Sequence, residues 1–223
     1  MPQPPALDET AAFRAEQRSK WSAHYVGHLH LAFTSVVGWS AVLYALSRVQ
    51  APSGPELLTV PITLLYANAV EYFGHRGPMH HRRPLLGVVH RRHTLEHHRF
   101  FTEREMAVDS SRDFKMVLFP PVLIVFFFGL FALPLGLLIA ALLGLNVAAL
   151  FVASAMAYFL LYETLHLSYH LGEETLLGRL ELIRRLRRHH ARHHDPARMT
   201  AGNFNITFPL CDAIFGTLLG PTP

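Results

Sequence analysis

From Val117 to Leu165 the chain is almost continuously apolar, and the stretch VLFPPVLIVFFFGLFALPLGLLIAALLGL within it contains no charged residue. A bilayer-spanning helix needs only about 20 such residues. The block is therefore too long for one span and too uniformly apolar for an amphipathic surface helix. It is interrupted once, at Leu133-Pro134-Leu135-Gly136, where proline cannot continue helical hydrogen bonding and glycine permits unusual dihedrals. The expectation is a helical hairpin, with spans at about 117–132 and 135–157 and the last helix continuing past the bilayer toward His170. Two shorter apolar runs precede it, at about 29–46 and 57–73. The fold class expected is an all-α membrane protein with four transmembrane helices in two hairpins, and a soluble bundle accommodates such runs poorly.

Composition agrees with this reading. Charged residues are 16% of the chain, against about 25% in soluble domains. The single cysteine, Cys211, excludes a disulfide framework, a thiolate-bound iron–sulfur cluster and a cysteine-rich zinc fold. The N-terminal stretch MPQPPALDET lacks the basic and apolar regions of a secretory signal. The net charge of +4 could suit nucleic acid, but in so apolar a chain it reads as membrane orientation, and no nucleic-acid partner is expected. Of the 20 basic residues, three precede the first span, nine lie between the second and third, and seven follow the fourth. Only Arg48 falls in a connection on the other side. The positive-inside rule then places both termini and the central loop in the cytoplasm. Residues 1–28 form a cytoplasmic segment, 29–217 a single membrane domain and 218–223 a short tail.

Histidine is the anomaly. All 16 histidines fall in the cytoplasmic segments or at cytoplasmic ends of spans, although apolar runs and Lys/Arg alone define that topology. Ten of them form four groups at ligand-like spacing. His75 and His80 leave the second span five residues apart; they would diverge on a regular helix, but Gly77-Pro78 should bend His80 back. His93, His97 and His98 form the second group. His166 and His170 are at i and i+4 on one helix face, and His190, His193 and His194 also share a face. Ten imidazoles exceed one tetrahedral zinc site and suit two ions with open positions, although imidazole alone does not choose between iron, zinc, copper and nickel. Glu71, Glu163 and Asp195 are near enough in sequence to orient the ligands. His24, His28, His30, His81, His90 and His189 fall outside the pattern, with His90 and His189 within a register error of it.

These boxes resemble those of the fatty acid hydroxylase/sterol desaturase superfamily of membrane di-iron oxygenases. The family pattern HX(3–4)H, HX(2–3)HH, HX(2–3)HH is matched by His75/His80, His93/His97/His98 and His190/His193/His194. The His166/His170 pair is similar to the extra pair of the fatty acid 2-hydroxylase branch, and Asn203 to Thr217 is similar to that branch's closing segment. The resemblance covers about residues 65 to 217. It implies a four-helix membrane stem with a cytoplasmic helical cap holding a histidine-rich dimetal site. It also implies two iron ions as cofactor, with zinc possible in a purified sample, and O2 as co-substrate. The activity implied is hydroxylation of a C–H bond in a lipid drawn from the bilayer, a fatty acyl chain or sterol-like molecule, with desaturation at the same site as the alternative. With no fused haem domain in this chain, electrons would come from a separate cytochrome b5- or ferredoxin-like donor. No catalytic side chain beyond the metal ligands is identified.

Other classes fit less well. A metal transporter needs coordinating groups within the membrane, where the spans offer little beyond Asn68, Asn146 and Ser154, with Glu71 and Glu163 near the cytoplasmic ends. A b-type cytochrome needs histidines at mid-membrane, and none sits there. A non-catalytic metal-binding membrane protein stays open. Leu176, Leu177, Leu180, Ile183 and Leu186 form an apolar stripe among arginines, which suits either a helix in the membrane interface or one packed on the cap core.

Overall fold

The computed structural model describes residues 7–220; the outermost positions of the expected N-terminal segment and C-terminal tail, 1–6 and 221–223, lie outside the described residues. Among the described residues the regular structure is helical, with one isolated bridge between Thr102 and Glu105. The chain divides into two compact units.

One unit comprises His28–Ala67 and Leu118–Thr164. Its core is aliphatic: Val42, Ala45, Ile124, Ala153, Met156 and Leu160 pack together. Outward-facing side chains such as Val122, Phe126, Leu130, Leu137 and Leu142 stay exposed, as lipid contact requires. Polar groups here are paired locally. Asn146 accepts from the Gln50 amide and donates to its carbonyl, each at 2.9 Å. Ser53 and Glu56 form a reciprocal capping box.

Three helical segments are long and apolar enough to cross a membrane: Gly27–Ser47, Ser111–Leu143 and Leu145–His170. The expected run at 57–73 is the helix Thr59–Gly74, at 16 residues shorter than the other three. The expected break at Leu133–Gly136 is not where the hairpin turns. A π-helical turn, Phe128–Ala132, leads directly into the helix Leu133–Leu143, and the turn falls at Gly144, whose φ is +98°. Pro134 stands in the first turn of that helix, where the missing N–H costs little. The positive φ at Gly144 is the conformation that glycine alone adopts freely. The last helix does run on to His170, in one continuous element from Leu145.

The other unit comprises the described residues up to Gly27, Asn68–Val117, and the chain from Leu165 onward. It contains the helix Leu7–Ser19, two π-helical turns at His75–Met79 and Arg91–His97, and the helix Glu181–His193. Tyr72, Phe204 and Cys211 form part of its core. Phe100 and Phe101 are wholly buried. The apolar stripe beyond Thr175 splits: Ile183 and Leu186 are buried, whereas Leu176, Leu177 and Leu180 are exposed. The helix begins only at Glu181, so the earlier leucines do not share its periodicity.

Candidate metal centre

Two clusters of buried histidines could each hold a metal ion. His75, His80, His93, His98 and His193 form one; His97, His170, His190 and His194 form the other. His166 stands beside the second, its Nε2 3.3 Å from that of His97. The π-helical turns explain how the first cluster forms. Bonding from i to i+5 widens the turn, so residues five apart come toward one face. His75/His80 and His93/His98 are both such pairs, each spanning a π-turn. The bend expected at Gly77-Pro78 is thus a π-turn with Pro78 inside it. In the second cluster and beside it, the pairs His166/His170 and His190/His194 sit four apart, the spacing of α-helical neighbours. The boxes are shared crosswise: His97 and His193 each serve the cluster opposite to their box companions.

The tautomers follow from the partners. A carbonyl oxygen can only accept, so a ring nitrogen against one carries the proton. Nδ1 of His75 donates to the Phe204 carbonyl, that of His97 to Met116 at 2.9 Å, and that of His170 to Met106 at 2.8 Å. Nδ1 of His193 donates to Gly202 at 2.9 Å and that of His194 to Phe101 at 2.6 Å. The Thr94 hydroxyl gives its proton to the Met79 carbonyl, so it accepts from Nδ1 of His80 at 3.3 Å. Six rings therefore present Nε2 as a bare lone pair.

These lone pairs face one another. Nε2 of His80 and Nε2 of His193 are 2.9 Å apart, yet neither holds a proton to share. Such a contact is repulsive unless a cation lies between the two. Further Nε2 pairs sit at 2.7 Å (His75/His93), 3.0 Å (His93/His98), 3.2 Å (His80/His93) and 3.0 Å (His190/His194). Imidazole nitrogens bound roughly 2.1 Å from one ion lie about 3.0 Å apart at right angles and about 3.4 Å apart on a tetrahedron. The donor set fits metal, and its close spacing fits ions with more than four ligands. Burial, followed by the neighbouring imidazoles, pushes His80 down to about 2. Burial pushes His75 down to about 4, and holds His93, His98, His190 and His193 well below the ordinary 6.5. At neutral pH these rings are uncharged and need lose no proton to bind.

The histidines expected to stand apart are placed elsewhere. His24 and His81 are exposed; His81 contacts the Arg76 carbonyl and His90 that of Met79. His30 bonds the Phe119 carbonyl at 2.9 Å. His189 lies 3.7 Å from Asp212, beyond hydrogen-bond reach. The carboxylates expected to orient the ligands have other partners: Glu71 accepts from the Ile206 and Thr207 amides, Glu163 from Phe119, and Asp195 from Ala197. The main-chain carbonyls named above orient five of the rings. Sequence spacing could not show this, because every residue has a carbonyl.

A knot of buried side chains holds the carbonyls that face the first cluster. Asp212 accepts from the Phe204 and Asn205 amides and the Thr217 hydroxyl, at 3.0, 2.8 and 2.7 Å. Although burial alone would raise its pKa, the His189 imidazole nearby, together with these bonds, holds it below the ordinary carboxylate value. Asn205 bonds Asn68 and the Cys211 amide, and Asn203 bonds the His189 carbonyl and the Leu219 amide. The closing-segment motif was legible in sequence, but not this role for it.

A family model described as fatty acid hydroxylase matches residues 60–217. Among solved structures, the chain is similar to one described as full-length scs7p with only the hydroxylase domain visible. The two share 21% identity with a TM-score of 0.64, over 85% of this chain and 67% of that one; at that identity the likeness shows a common fold. No curated protein sequence matches the chain.

Proposed function

Because the chain belongs to the fatty acid hydroxylase family, we propose that it is a membrane-bound, O2-dependent oxidoreductase that hydroxylates a C–H bond of a lipid at a di-iron centre. The observation that carries this reading is the contact between two proton-free Nε2 atoms, those of His80 and His193, 2.9 Å apart. We assign His75, His80, His93, His98 and His193 to one ion, and His97, His166, His170, His190 and His194 to the other. When bound, iron supplies O2 activation for attack on an unactivated C–H bond. Overall the lipid C–H, one O2, two electrons and two protons give an alcohol and one water. The electrons need a separate donor of the cytochrome b5 or ferredoxin kind.

The chain's own residues contribute position and dryness. Backbone carbonyls fix five ligand rings in orientation and tautomer, as acceptors on the distal nitrogen do in other histidine metal sites. Phe100, Phe101 and Phe204, all fully buried, keep water away from the rings. The short apolar helix Thr59–Gly74 would serve as a fourth span, with both termini and the histidines on the cytoplasmic face, as the distribution of basic residues favours.

The test is to express the chain with a competent reductase and follow lipid masses, using His193→Ala as the control. A gain of one oxygen that depends on His193 supports hydroxylation. A loss of two hydrogens makes the chain a desaturase, and no change in the presence of bound iron makes it a non-catalytic metal protein. The ion found on purification is a separate matter, since zinc generally binds such ligands more tightly than ferrous iron.

A further inference from the structure

Arg14 lies in the helix Leu7–Ser19, outside residues 60–217 matched by the family model. It is only 6% exposed, which for an arginine demands that its donors be used. Nε donates to the Phe100 carbonyl at 2.8 Å and Nη2 to the Glu105 carbonyl at 2.7 Å. The guanidinium lies over the Phe100 and Phe101 rings, 5.2 and 5.5 Å from their centroids.

The residue after each of these acceptors does the matching task on the histidine side. The Phe101 carbonyl receives Nδ1 of His194 and the Met106 carbonyl receives Nδ1 of His170, at 2.6 and 2.8 Å. Phe101 is extended, with φ −116° and ψ 118°, and along an extended chain successive carbonyls point to opposite sides. One planar fork thus fixes the two carbonyls immediately before those that aim His194 and His170. The first cluster takes its carbonyls from Phe204 and Gly202, which are held by Asp212 and its partners and not by this arginine.

We propose that Arg14 is a positioning residue for the second histidine cluster alone: it sets the backbone that orients His170 and His194 toward their ion. This rests on the two-ion reading above. Lysine cannot replace it fully, because an ammonium on one flexible stem does not present two donors in a fixed fork.

The experiment measures metal per chain in the full-length protein, purified in detergent and dialysed against a chelator. Wild type is expected to retain two ions. Arg14→Ala should retain one, as His194→Ala should, and Arg14→Ala combined with His194→Ala should still retain one. Combined with His193→Ala, Arg14→Ala should retain none. Should Arg14→Ala fail to fold, Arg14→Lys is followed in time, and one ion should leave about 10-fold faster than from wild type while the other leaves at the wild-type rate. If the arginine variants keep both ions at wild-type rates, or lose both together, the Arg14 proposal is overturned alone. A wild-type ratio below two overturns the two-ion reading, and this proposal with it.

Discussion

The two histidine clusters draw on the same sequence boxes but rest on different helix geometry. The first is built from pairs five apart across π-turns, His75/His80 and His93/His98. The second takes His190/His194, four apart on a regular helix, and His170, with His166 beside it four residues earlier on the same helix. They are also held from different parts of the chain. Carbonyls of Gly202 and Phe204 face the first, while those of Phe101, Met106 and Met116 face the second. A histidine box is therefore a unit of sequence and not of spatial clustering, since His97 and His193 each cross to the other cluster. Two sites assembled so differently should fail separately.

The largest effects should come from the crossing ligands. His193→Ala is expected to empty the first cluster and His97→Ala the second, each abolishing product formation while leaving membrane insertion intact. Metal analysis beside a lipid product assay reads both. Loss of both ions from either variant would break the separation of the clusters.

Next is the knot behind the first cluster. Asp212→Ala leaves the Phe204 and Asn205 amides unpaired in a buried site, a cost of about 1–3 kcal/mol for each unsatisfied group. It should weaken metal retention in the first cluster by roughly 10- to 100-fold and leave the second near wild type. Gly202→Ala should act in the same direction with a smaller effect on metal. A Cβ there would meet the Thr217 carbonyl oxygen at 2.0 Å, so the backbone carrying the His193 acceptor must shift. Equal loss from both clusters in these variants would show that the knot supports the whole unit.

Acid should act through both clusters. His75 titrates at about 4 in the folded protein against an ordinary 6.5. The unfolded chain therefore binds the extra proton first as pH falls. Stability of the metal-free protein should be flat above about pH 7 and decline from 6.5 toward 4, and protons should displace metal over the acid side of that range. Thermal melts across pH check the sign; a maximum near pH 5 would contradict neutral burial of these rings. The smallest effect should be that of His24→Ala, an exposed position, whose stability change should stay within about 0.5 kcal/mol with metal content unaltered.

Much of this was readable in the sequence, for reasons that are local. Apolar runs report lipid exposure directly, and four-residue histidine spacing reports a helix face, so His166/His170 and His190/His194 could be paired before any coordinates. The five-residue pairs were harder. A π-turn has no composition of its own, and Gly77-Pro78 indicated only that something irregular had to bring His80 round. The hairpin turn was misplaced because Pro134 carries the same letter whether it ends a helix or stands in its first turn; Gly144, with its positive φ, is where the chain reverses. The carbonyl acceptors and the hold of Arg14 on their neighbours were not legible at all. Both depend on main-chain groups that every residue possesses, brought together by residues far apart in the chain.

One arrangement bears on how such a protein is made. His190, His193 and His194 divide between the two clusters, so neither has its full set of donors until synthesis has passed residue 194. By then every long apolar segment among the described residues, the last ending at His170, has already been synthesised. Filling of either cluster by metal would consequently be a late event, after all of these segments are made. The species that precedes it carries its proton-free nitrogens crowded together with nothing between them. That metal-free form should be the most vulnerable to proteases, and metal supply would then govern how much of the protein accumulates.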